Sequence, residues 1–186
     1  WRRKARPLAL AAEQTTGTDP SWNLAVETPG RIDITTDRDL ARIHALADAV
    51  KAEVLTIGPL YRLTPKAIQT DDEATPLLAA LDTFRDRGMT LMVEAHAGHG
   101  VGRGGERDLR PRGSSALLGW PEFGIGLKPD PDDPHHWTNI AKWRGDRDER
   151  DWPFRLKRGG SMPFEATADC YRTSEWTPSS VLGGAA

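Results

Sequence analysis

At 186 residues the chain is long enough for one domain with a full core and a tail left over. Its net charge of −2, with 28% charged residues, excludes a partner chosen by overall electrostatics, so nucleic acid would have to meet a local basic patch. The single Cys170 excludes an internal disulfide and fits a reducing cytoplasm, while no apolar run nears the ~18 residues of a membrane span and no signal-peptide pattern occurs.

The chain opens on Trp1-Arg2-Arg3-Lys4-Ala5-Arg6-Pro7, which reads as the middle of an element, so a fragment of a longer protein is expected. Residues 1–14 are basic and then rich in Ala and Leu, as at the end of a helix interrupted at Pro7. Short β-leaning pieces follow at 23–27 and 32–35, around a Pro29-Gly30 turn. Thr36 or Asp37 caps the clearest helix, whose Leu40, Ile43, Ala47 and Val50 share one face.

Val54-Leu55-Thr56-Ile57 predicts a short buried strand, broken by Gly58-Pro59. Beyond a polar loop over 64–72, Thr75-Pro76 is the start signal of a second helix. Leu77, Leu78, Leu81 and Phe84 form its stripe and Gly88 ends it. Met89–Val93 is the next buried strand. Strand, helix and strand with short joints make a βαβ unit, which predicts a parallel sheet whose strand ends carry the chemistry.

The stretch 98–105 is rich in glycine and 106–112 in charge, a mobile loop by composition. Ser114–Trp120 suggests a short helix, Phe123–Lys128 a thin strand and Asp130–Pro134 a turn. His136–Trp143 and Phe154–Leu156 read as strands on either side of a charged segment over 144–151. The core is expected over 1–172, and from Thr173 the chain reads as a disordered tail.

Several motifs have a functional and a bland reading. Gly100-Val101-Gly102-Arg103-Gly104-Gly105 fits the G-x-G-x-x-G expression, yet a charged, proline-containing loop follows where a dinucleotide site needs a helix. The sequence contains no G-x-x-x-x-G-K-[ST] phosphate loop. His96 and His99, with His135 and His136, lack a third ligand at metal spacing. His96 alone reads better as a polar group at a strand's carboxyl end, where α/β sheets bind ligands; otherwise it is a hydrogen-bonded loop histidine. Arg110, Arg112, Ser114 and Ser115 form a basic and hydroxyl cluster of the kind that contacts phosphates, or else a solvated loop. Lys142-Trp143-Arg144-Gly145, followed by balanced charges, reads by itself as a solvated turn. Trp120, Trp137, Trp143 and Trp152 are more often packing residues than base-stacking platforms.

From Arg31 to Glu165 the order of elements resembles the RecA-like core of the RepA-type hexameric replicative helicases and their actinobacterial and phage relatives, the AAA family ATPases. The pieces that carry the resemblance are Ile57-Gly58-Pro59-Leu60-Tyr61-Arg62-Leu63, Glu94-Ala95-His96-Ala97-Gly98-His99-Gly100 and Arg112-Gly113-Ser114-Ser115-Ala116-Leu117. Trp120-Pro121-Glu122-Phe123-Gly124 and Trp143-Arg144-Gly145-Asp146-Arg147-Asp148 add to it. The resemblance implies an α/β fold with a mostly parallel sheet flanked by helices, lacking the first strand, phosphate loop and helix. It places Val54–Gly58 on the Walker B strand and His96 at the γ-phosphate sensor. Arg103, Arg110, Arg112, Ser114 and Ser115 would face single-stranded DNA in a central channel. Lys142 and Arg144 would reach the nucleotide of the adjacent subunit, where cations stabilise charge on a transferring phosphoryl group.

The implied ligands are ATP and Mg2+, both requiring the missing segment. The implied assembly is a homo-oligomeric ring in the cytoplasm, with no membrane partner. The family's Walker B aspartate is Gly58 here, which leaves Glu94 as a substitute acid for the magnesium. By itself the chain should neither bind ATP tightly nor hydrolyse it. Two rivals from other classes are a non-catalytic DNA-binding or assembly module with a degenerate ATPase fold, and a small-molecule-binding α/β domain.

Overall fold

The computed structural model describes residues 2–28, 30–98, 109–145, 153–159 and 163–171. Arg103 with most of the glycine-rich loop, the charged stretch 146–152 and the expected tail lie outside these residues. In chain order the helices are α1 (Arg2–Thr16), α2 (Asp37–Val50), α3 (Asp71–Arg85) and α4 (Ala116–Gly119). The strands are β1 (Val54–Ile57), β2 (Thr90–Val93), β3 (Gly124–Pro129), β4 (Trp137–Arg144), β5 (Arg155–Arg158) and β6 (Phe164–Glu165). The chain divides into two units, Ala25–Glu122, and Trp1–Leu24 together with Phe123–Ala186.

Within the unit 25–122, β1 and β2 pair in parallel from Val54↔Thr90 to Ile57↔Val93. Alternation along both strands turns Leu55, Ile57 and Leu91 toward the core. The opposite face carries Val54 and Met92, which are 52% and 59% exposed. Helix α3 supplies the centre of the core through Leu77, Ala80, Leu81 and Phe84, a stripe at helical spacing that is buried throughout. Leu40, Ile43 and Ala47 of α2 pack on it. The two helices also meet through His44, whose ring stacks on Phe84 at 4.0 Å. His44 Nε2 lies 2.9 Å from Thr83 Oγ1, and Nδ1 lies 2.6 Å from the Arg87 guanidinium. Burial, then the Arg87 charge, pushes its pKa down, so the neutral imidazole suits this packing.

Three sequence expectations shift here. Helix α3 starts at Asp71 rather than at Thr75-Pro76, because Thr70 and Glu73 form a reciprocal capping box. Pro76 falls inside the helix, where it removes one intrahelical bond. The pieces at 23–27 and 32–35 are not strands; Ile34 is fully buried and its N–H donates to the Leu63 carbonyl at 2.9 Å. Thr36 stands at the N-cap of α2 without a side-chain cap bond, and its hydroxyl donates instead to the Asp33 carbonyl at 2.8 Å.

In the other unit, α1 is a continuous helix with Pro7 inside it. The strands β3-β4-β5-β6 form an antiparallel sheet in that order. The fold is therefore α/β, with parallel pairing, among the described residues, confined to β1 and β2 and a separate antiparallel sheet where more of the parallel sheet was expected. The physical reason is connection length. The joint between β3 and β4 spans only 130–136, while a parallel crossover needs about a dozen residues or more. A β-bulge interrupts the β3–β4 register at Gly124/Ile125, and Trp143 is the extra residue. Its ring lies against Gly124, and that of Phe123 against Gly145, so neither glycine has room for a Cβ. Cys170 is fully buried, its sulfur accepts from the Thr167 N–H at 3.2 Å, and its carbonyl accepts from the Phe154 N–H at 2.8 Å.

Candidate functional site

The carboxyl ends of β1 and β2 gather most of the polar groups singled out in unit 25–122. The chain leaves β1 through Gly58, whose φ of +148° is open to glycine and rarely to other residues. A Cβ there would lie 2.7 Å from the Glu94 Cβ and 2.9 Å from its carbonyl oxygen. Close approach is what the backbone exploits. The Glu94 N–H donates to the Ile57 carbonyl, and the Leu60 N–H donates to the Glu94 carbonyl, both at 3.0 Å. The short turn Leu60–Arg62 follows and carries Tyr61 over His96, with ring centroids 5.1 Å apart and planes 62° apart. His96 Nε2 stands 3.6 Å from Glu94 Oε1, and both side chains remain about three-fifths exposed, at 61% and 62%.

A second segment returns to this edge. The Arg112 N–H donates to the His96 carbonyl at 3.0 Å, and Ala97 bridges Pro111 in antiparallel fashion. Gly113 has φ +121° and lies so close to the Ile68 carbonyl that no side chain fits. Between the returning segment and the 66–69 loop lies a cleft of about 570 Å³, lined among others by Tyr61, Lys66, Ile68, His96, Arg112 and Leu117.

Asp71, the first residue of α3, fastens the returning segment. Its carboxylate accepts from the hydroxyls of Ser114 and Ser115 and from the Ala116 N–H at 3.0 Å. The Ser114 hydroxyl first, then the Ala116 N–H and the Ser115 hydroxyl, hold the Asp71 pKa below the ordinary carboxylate range. The sign follows from linkage. A depressed carboxylate pKa contributes stability that is present above the unfolded value and lost as pH falls through the folded one. The wild type should therefore exceed Asp71→Asn in stability near neutrality. That margin should shrink as pH drops through the carboxylate range, as followed by urea denaturation at a series of pH values.

The structure thus brings Gly58, Glu94, His96 and Arg112 to one edge. Arg110 is exposed in the returning segment, while the Ser114 and Ser115 hydroxyls are turned to Asp71. Lys142 and Arg144 belong to the other unit, on β4, where the Lys142 ammonium lies 5.2 Å from the Phe123 ring centre. Arg103 lies outside the described residues. Sequence reasoning missed Asp71, whose partners are more than forty positions away, with separations of 43 to 45. It also passed over Tyr61 and Lys66, although Tyr61 stands directly in the Gly58-Pro59-Leu60-Tyr61 turn.

The donor set does not make a magnesium site. Gly58 offers no side chain, Glu94 is one carboxylate, and among the described residues no three His, Cys, Asp or Glu groups converge to hold a metal. Among those residues, too, no helix is long and apolar enough to cross a membrane. No family model, curated protein or solved structure matches the chain.

Proposed function

We propose that this chain is the C-terminal two-thirds of a RecA-like P-loop ATPase of the RepA-helicase type, a motor that couples ATP hydrolysis to movement on single-stranded DNA. The observation that carries the reading is the parallel β1–β2 pair, with Gly58, Glu94, His96 and Arg112 collected at its carboxyl edge. Ligands bind outside the carboxyl ends of strands in open α/β sheets. A parallel sheet is ordinarily covered on both faces. Here α2 and α3 cover one face and Val54 and Met92 stay exposed on the other, which supports further strands and helices completing the sheet.

In this reading the phosphate loop comes from sequence upstream, and neighbouring subunits of a homo-oligomeric ring supply the rest of the nucleotide site. His96 stands at the strand end beside Glu94 and Tyr61. Arg112 lines the cleft on the same edge. Lys142 and Arg144 act on the nucleotide of the next subunit. Gly58 favours a second reading, a non-catalytic DNA-binding or assembly module, because its backbone leaves no room for the acid that holds magnesium in the family the chain resembles.

The two readings separate on the protein made from the complete reading frame. The motor reading expects an upstream G-x-x-x-x-G-K-[ST] and ATP turnover stimulated by single-stranded DNA. A reading frame without that motif, or DNA binding without turnover, contradicts it.

A further inference from the structure

The geometry points to a base-stacking subsite in the cleft beside Tyr61, one that takes a nucleotide unit of single-stranded DNA, base on the Tyr61–His96 notch and phosphate on Lys66 and Arg112. This rests on the DNA-binding part of the proposed function and adds to it a side-chain platform that reads the base. Tyr61 is 57% exposed, which leaves much of its ring surface open to a ligand. It meets the His96 ring at 62°, so the two rings form a notch with open surface on both. Ile68 and Leu117 supply an apolar flank, and the cleft of about 570 Å³ has the size of a small-ligand site.

The charges fit the same ligand. Lys66 and Arg112 line the cleft from opposite segments, one on the 66–69 loop and the other on the segment returning to β2. Two carboxylates stand near them without lining the cleft. Glu73 is engaged by the N–H groups of Gln69 and Thr70 at 2.8 and 3.0 Å, and Glu94 sits beside His96. A planar π-face, an apolar flank and two separated cations match a base and its phosphate. Aromatic side chains bind bases of any sequence this way, because every base has a π-face. The Asp71 clasp holds Arg112 in place through its neighbours Ser114 and Ser115.

The test is fluorescence anisotropy of a labelled oligothymidine with the protein made from the complete reading frame, at several salt concentrations. Tyr61→Ala should weaken binding about tenfold or more, while Tyr61→Phe should keep it. Lys66→Ala combined with Arg112→Ala should weaken binding and flatten the salt dependence by about 1.4 in log–log slope, two phosphate contacts on a single strand. Far-UV circular dichroism checks that the variants stay folded. Unchanged binding by Tyr61→Ala, with loss on the double cation variant, overturns the stacking subsite and leaves DNA binding standing. Thymidine monophosphate binding as tightly as the oligomer, with the same Tyr61 dependence, overturns the strand as ligand. No binding of any oligonucleotide overturns both the subsite and the DNA-binding part of the proposed function.

Discussion

Gly58→Asp, the change that would put an acid on the strand end proposed as Walker B, is expected to destabilise the protein by about 3 kcal/mol or more. Two costs combine. A non-glycine residue at φ +148° is strained by roughly 1–3 kcal/mol. A Cβ 2.7 Å from the Glu94 Cβ and 3.0 Å from its nitrogen forces β1 and β2 apart, at a further ~1–3 kcal/mol. The displacement acts on the Glu94-to-Ile57 and Leu60-to-Glu94 hydrogen bonds, which are what hold the turn onto the strand end. Because the Cβ makes the clash, Gly58→Ala should lose nearly as much as Gly58→Asp. Urea denaturation of the two variants measures this through a lower midpoint at unchanged slope. A Gly58→Asp protein as stable as the wild type would refute the steric account of this glycine. Glycine at 58 is a structural requirement of the present turn, and an acid cannot be added there without rebuilding Glu94.

What was legible in the sequence follows the range of the interactions. The apolar stripe Leu77-Leu81-Phe84 and the short apolar runs at 54–57 and 89–93 are local patterns, and they appear as α3, β1 and β2. The parallel pairing of β1 with β2 was legible too, because a helix between two strands leaves few other arrangements. The start of α3 was present in the sequence as Thr70-x-x-Glu73, but Thr75-Pro76 gave a competing start signal four residues into the helix. The antiparallel sheet turned on a hairpin-length joint after β3, which the strand assignments alone did not weigh. At the site, His96 and Arg112 were singled out as residues, yet nothing local says that the Arg112 N–H meets the His96 carbonyl. The same holds for Asp71, whose serine partners reach it only through the fold. Non-local hydrogen bonds leave no periodicity to read.

The functional reading turns most sharply on Arg144. It is exposed at the last position of β4, beside the bulge at Trp143, with the Trp143 and Phe123 rings seated against Gly124 and Gly145. The packed strand end fixes the backbone that carries this exposed cation, and electrostatic stabilisation of a phosphoryl group depends on a positioned cation. In the proposed ring, this cation would serve the nucleotide of the neighbouring subunit, so its loss should act on turnover and leave binding alone. Arg144→Lys keeps the charge without the bidentate fork, and falls between the wild type and alanine.

The decisive measurement sets ATP turnover against nucleotide binding for Arg144→Ala in the protein made from the complete reading frame. The expected result is a fall in turnover of about a thousandfold or more, with nucleotide affinity nearly intact. Turnover equal to the wild type, or equal loss of turnover and binding, would contradict a role for Arg144 in trans and with it the motor reading.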